Sequence, residues 1–189
     1  KSLATGSYNT FLGARCGDAT TAGDYSTAVG ADSLGGVNTG SRNTSVGWRS
    51  LYANTSGADN VAVGHTALGA NTTAANNVAV GYLALRDNTT GTANTGVGYG
   101  ALASNTTDDY NTAFGFQALV ASTSGGHTNT AVGYNSGVAT TTGTENTSHG
   151  SRSGHSLTTG VKNTMLGNFS GSSLTTGNYN VVVGSDCNV

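Results

Sequence analysis

An all-β solenoid, a parallel β-roll of eleven coils, is the fold that this sequence predicts, and three observations predict it. A five-residue motif ending in glycine returns eleven times in 189 residues, at intervals of 17 except for one of 18. The composition is thin: 30 Gly, no Pro, one Met, one Trp, four Phe and only 8% charged residues. That is too little bulk for a compact core at native density, and strict periodicity favours a repetitive body over a disordered one. Third, the motif alternates with the period of a strand, while its Gly, Thr and Asn content disfavours helix.

The motif reads "NTFLG" at 9–13, "STAVG" at 26–30, "NVAVG" at 60–64 and "NTMLG" at 163–167. Its glycines are Gly13, Gly30, Gly47, Gly64, Gly81, Gly98, Gly115, Gly133, Gly150, Gly167 and Gly184. A glycine in every copy marks a corner that needs positive φ or a close backbone approach. Four positions earlier, ten of eleven copies carry Asn, with Ser26 the exception, and stacked amides can hydrogen-bond along the axis. Thr or Val at the third position before the glycine shares a face with the Val, Leu or Phe just before it. Asn and Ala take the opposite face.

Just after the glycine, six consecutive coils place Trp48, His65, Tyr82, Tyr99, Phe116 and Tyr134. Three after it the residue is always small, from Cys16 through Ala84 to Cys187, and six coils follow with Leu34, Leu51, Leu68, Leu85, Leu102 and Leu119. "NTTG" at 88–91 and its variants supply turn chemistry at a second corner. The single 18-residue step contains "STSGGHT", which reads as a one-residue loop insertion.

The whole of 1–189 reads as a single solenoid domain. Joining "VVVGSDCNV" to "KSLATGSYNTFLG" gives another 18-residue interval between glycines, and "SLATG" at 2–6 matches "SLTTG" at 156–160 and 173–177. The expectation is a split coil, completed by residues 185–189 of one subunit and 1–8 of its neighbour. Cys16 and Cys187 share a column but lie ten coils apart, about 48 Å at the spacing of stacked strands. That is too far for a bond within one chain, and a single coil apart in a head-to-tail stack. They are candidates for an intermolecular disulfide; as small core-facing thiols they need no bond at all.

"GDYSTAVGADS" at 23–33, "GADNVAVGHTA" at 57–67 and "TANTGVGYGA" at 92–101 resemble the head repeats of trimeric autotransporter adhesins and the related repeats of phage tail fibres. The resemblance covers essentially the whole chain. It implies a β-roll packed with two copies around a threefold axis. It further implies that the motif's Thr/Val and Val face the roll's own core while Ala faces neighbouring chains. No coiled-coil stalk or membrane-anchor pattern accompanies the repeats.

The aromatic column suits either a glycan-binding platform or a structural ladder of stacked rings. His65, His127, His149 and His155 lack metal-ligand spacing, and no Ser, His and Asp assemble into a triad, so neither a cofactor nor an enzyme is expected. A net charge of −2 gives no basic stripe for nucleic acid, and "NVAVGYLAL" is too short to span a bilayer. Asn54, Asn71, Asn88 and Asn105 head N-x-S/T sequons that follow from the turn composition. The expected function is a structural subunit of an extracellular fibre or filament, on a cell or virion surface or secreted, assembling with copies of itself and contacting a surface glycan or receptor. A fragment of a tail fibre or adhesin head is the alternative. An ice-binding solenoid is a remote third, set aside here because the motif Thr shares parity with the expected core residues.

Overall fold

The computed structural model describes residues 5–188. Eleven three-residue strands form one parallel sheet in sequence order: β1 (Thr10–Leu12), β2 (Thr27–Val29), β3 (Thr44–Val46), β4 (Val61–Val63), β5 (Val78–Val80), β6 (Thr95–Val97), β7 (Thr112–Phe114), β8 (Thr130–Val132), β9 (Thr147–His149), β10 (Thr164–Leu166) and β11 (Val181–Val183). Each residue pairs with its equivalent one repeat on, Val61 with Val78 and Val63 with Val80, so the chain is a β-solenoid of about ten turns. Register survives the 18-residue coil, where Thr112 still pairs with Thr130. The extra residue is absorbed in the loop, as the sequence suggests. Residues 1–4 and 189, part of the split coil expected between subunits, lie outside the described residues.

Between strands the backbone keeps bonding along the rod. Leu68 N–H donates to the Ala84 carbonyl at 3.0 Å, Ala70 to Arg86 at 3.0 Å and Thr72 to Thr89 at 3.0 Å. Turns thus satisfy most of their amides through the turns on either side, as a buried backbone requires. All eleven motif glycines have φ between +128° and +141°. A β-carbon on Gly81 would lie 2.5 Å from the Gly98 carbonyl oxygen, so both expected reasons for glycine operate together.

The facing of the strand corrects the expectation drawn from the resemblance. The middle residue points inward: Ala28, Ala62, Ala79, Ala113, Ala131 and Met165 are fully buried. The flanking Thr/Val and Val/Leu/Phe point outward and range from half-buried to exposed. The reason is width. The small residue three after each glycine packs directly on the middle of the next strand, with Ser136 Oγ 2.8 Å from the Ser148 carbonyl oxygen and Ser153 Oγ 2.9 Å from that of Met165. No gap remains there for two β-branched side chains per strand. Correcting this parity also removes the ground on which ice binding was set aside.

Bulk comes from the leucine column. Leu34, Leu51, Leu68, Leu85 and Leu102 are fully buried and Leu119 nearly so, and all six adopt φ between +47° and +53°. Two of the four coils with glycine at this position, those of Gly17 and Gly171, carry a large mid-strand residue instead, Phe11 and Met165, while those of Gly137 and Gly154 carry Ala131 and Ser148. A β-carbon on Gly17 would meet the Phe11 ring at 2.6 Å, and one on Gly171 would meet Met165 Cγ at 2.7 Å. Leucine on one wall and Phe or Met on the other are alternative ways to fill the same section.

Two amide ladders run through the interior, one along most of the rod and one from Asn38 to Asn105. The expected one carries Asn60 Nδ2 to Asn43 Oδ1 at 3.2 Å, Asn146 Nδ2 to Asn129 Oδ1 at 3.1 Å and Asn180 Nδ2 to Asn163 Oδ1 at 2.9 Å. Each Oδ1 also accepts the next backbone N–H, as Asn77 Oδ1 does from Asn94 at 2.8 Å. The second ladder, Asn38, Asn54, Asn71, Asn88 and Asn105, is linked by bonds of 2.7 to 3.2 Å.

Candidate functional site

The aromatic column forms as the sequence predicts. Ring centroids from Trp48 through His65, Tyr82, Tyr99 and Phe116 to Tyr134 stand 4.5, 4.9, 5.2, 4.9 and 5.4 Å apart. Four of the five contacts are stacked, with ring planes within 26° of one another. Stacking at the strand repeat covers both faces of every inner ring, so solvent meets ring edges and the tyrosine hydroxyls. The outer rings carry cations, Arg49 Cζ lying 4.8 Å from the Trp48 centroid and Arg152 Cζ 5.7 Å from that of Tyr134. This arrangement suits the structural-ladder reading better than a platform that sugars cover face-on.

Tyr8 and Tyr25 make a second, shorter stack at 4.9 Å, five before the motif glycine. That column also holds ion pairs between adjacent coils: Arg42 with Asp59 at 2.6 Å and Lys162 with Glu145 at 3.8 Å. Side chains one rung apart thus pair along the surface as cross-strand neighbours do.

The cysteines stand at the two ends of the small-residue column. Cys16 is fully buried, its Sγ 3.1 Å from the Ala28 carbonyl oxygen, whereas Cys187 is exposed. Cys187 still keeps the interior register, since its carbonyl oxygen accepts from Gly171 N–H at 2.7 Å. The sequon asparagines Asn54, Asn71, Asn88 and Asn105 are fully buried with their amides committed to the second ladder, so no glycosyl transfer can reach them in the folded chain.

The inserted coil holds a buried carboxylate that sequence reasoning missed. Asp108 is fully buried and accepts from the Gly125 and Gly126 N–H groups at 2.5 and 2.9 Å and from the Ser122 hydroxyl at 3.2 Å. His127 Nε2 stands 4.0 Å from it, while His127 Nδ1 accepts from Asp109 N–H at 3.0 Å. With a Ser in the place of the ladder asparagine, Asp108 ties down the extra residue. The cluster bonds to backbone and holds the loop.

A surface notch near the N-terminal end was also missed. Arg15, Asp32 and Arg49 succeed one another two after the glycine in the first three coils, and Asp18, Gly35 and Tyr52 do so five after it. These six residues line a pocket of about 200 Å³. Arg15 grips Asp32 through two bonds of 2.6 and 2.8 Å, which hold the Asp32 carboxyl below the usual carboxylate range against the opposing effect of its burial. The signal was available in sequence: three successive charges at one column position beside a glycine in the next.

Among the described residues, no group of three or more His, Cys, Asp or Glu is placed to hold a metal ion, and no helix is long and apolar enough to cross a membrane. The fold defines the class: a β-solenoid repeat protein. Comparison with protein families, with characterised proteins and with solved structures found no match.

Proposed function

We propose that the chain is a structural rod of an extracellular fibre, built from copies of itself that join head to tail and pack side by side. The observation that carries this reading is the outward face of the sheet. Leu12 (67% exposed), Phe114 (57%), Leu166 (46%) and Val183 (61%) lie in one column beside the motif threonines, apolar in ten of its eleven positions with His149 the exception. A long apolar stripe on an otherwise well-satisfied surface marks an interaction face. Its straightness and repeat match it to a second copy of the same rod. A disulfide from the exposed Cys187 to Cys16 of the next copy would staple successive rods. Electron microscopy of the purified chain tests the assembly: long filaments are expected. Isolated short rods would favour the alternative, a piece of a tail fibre or adhesin head.

The same face supports a second reading. Thr27, Thr44, Thr95, Thr112, Thr130, Thr147 and Thr164 point outward at the strand repeat, and such an array could order water as ice does. Val61, Val78 and Val181 interrupt it. A thermal-hysteresis measurement separates the two, since the fibre reading expects none.

A further inference from the structure

The surface of a solenoid is a grid of columns and rungs, and a glycine in a surface column removes one square of it. Gly35 does this between Asp18 on the preceding rung and Tyr52 on the following one. Stacked rungs are about 4.8 Å apart, so the gap between those two neighbours is about 10 Å. The wall facing it is the column Arg15, Asp32, Arg49, and the cavity of about 200 Å³ lies below the roughly 300 Å³ at which pockets for drug-sized ligands begin. Its size suits a single sugar ring.

The chemistry of the notch is uneven. Arg15 and Asp32 are committed to each other. Arg49 is held differently: its Cζ lies 4.8 Å from the Trp48 centroid and 4.8 Å from that of Tyr52, and its closest carboxylate oxygen, on Asp32, is 4.0 Å away. Two aromatic rings fix the guanidinium and leave its in-plane N–H fork without a hydrogen-bond acceptor among the described residues, on a side chain 45% exposed. Arg42 and Arg86, by contrast, each grip a carboxylate. A guanidinium immobilised in this way is pre-organised for bidentate capture of a carboxylate. Across the notch, the exposed carboxylate of Asp18 is placed to accept hydrogen bonds from hydroxyl groups, and the four charges of the lining cancel. A dianion is therefore disfavoured, and a ligand with one carboxylate and several hydroxyls is matched.

We propose that this notch binds a uronic acid residue, its carboxylate on Arg49, its hydroxyls toward Asp18 and its ring over Gly35 beside Tyr52. The proposal stands on the fold of the single chain and does not require assembly into a fibre, though it would supply the surface-glycan contact that the sequence leads one to expect.

The test is a titration of the isotopically labelled 189-residue chain with methyl glucuronide, followed by NMR, with methyl glucoside and sodium sulfate as separate arms. Saturable shifts are expected at Gly35, Arg49 and Tyr52, with a Kd on the order of 1 mM, as for one monosaccharide with few contacts. Arg49→Gln should weaken binding about tenfold or more, the scale of a lost charge-assisted bond, and Arg49→Lys by less. Asp18→Asn should weaken it a few-fold. Gly35→Val should abolish it, because a β-carbon there already lies 3.2 Å from the Tyr52 ring. The spectra of the free variants report whether each one folds. Absence of saturation, equal binding of the neutral glucoside, indifference to Arg49→Gln, or sulfate matching the glucuronide in affinity and in shifted residues would each overturn the assignment.

Discussion

Gly81 turns its corner at φ +134°, with the Gly98 carbonyl oxygen 2.5 Å from where a β-carbon would stand. Gly81→Ala therefore combines a backbone region essentially closed to other residues with a clash against main chain, and should destabilise by about 2–3 kcal/mol in a denaturant titration. Asn77 gives a different kind of prediction. Its Nδ2 donates to the Gly91 carbonyl at 2.9 Å and its Oδ1 accepts from Asn94 N–H at 2.8 Å, on a fully buried side chain. Asn77→Ala strands both backbone groups and should cost about 1–3 kcal/mol each, lowering Tm by several degrees. Charge acts at the surface. Hydrogen bonds from Arg15 and Arg42 lower the carboxyls of Asp32 and Asp59, and desolvation opposes them. A depressed carboxyl stabilises above its unfolded value, near pH 4, and that stability is lost as pH falls through the folded value. Replacing both arginines by Gln should thus lower Tm more at pH 7 than at pH 2. An equal loss at both would refute the linkage.

At the scale of the coil, the section is filled by one of two arrangements in most coils, and the exchange between them is open to a double-mutant cycle. Gly171→Leu alone should destabilise, because Met165 Cγ would sit 2.7 Å from the new β-carbon. Met165→Ala alone should cost about 2–5 kcal/mol as a buried cavity. Together they recreate the leucine arrangement of the central coils and should cost clearly less than their sum; additive losses would refute the exchange. Strand, corner glycine and first asparagine ladder were all legible in sequence, since each is a local residue preference repeated in ten or eleven copies. The inward and outward faces were not. In a three-residue strand flanked by small residues, alternation fixes which side chains share a face but not which face is inside. That depends on how far the opposite wall stands, and the wall is built by residues such as Ser136 and Ser153, 12 positions away from the strand residues that they touch. The second asparagine ladder was hidden for a related reason. "NTTG" reads as turn chemistry, and only stacking makes Asn71 and Asn88 neighbours. The notch beside Gly35 likewise exists only between rungs.

For the whole molecule, length along the axis counts rungs, and the fold has no interior that any one coil could build alone. Neighbouring coils bury one another's alanines, leucines and amides, so stability should grow with the number of stacked turns. The outward apolar stripe then gives the rod a means of joining others. Phe114→Lys, at an exposed position of that stripe, should leave Tm nearly unchanged and shift sedimentation toward the single chain; an unaltered distribution would remove this face from the assembly. The claim beneath all of these is that successive repeats stack in register, one strand spacing apart, with the motif threonine outward. Pulsed electron paramagnetic resonance between spin labels on a Cys16→Ser, Cys187→Ser background measures this directly. Labels at Thr27 and Thr130, six strands apart, should stand about 29 Å from one another, and labels at Thr27 and Thr164, eight apart, about 38 Å. Distances that fail to lengthen with the number of intervening strands would contradict the account.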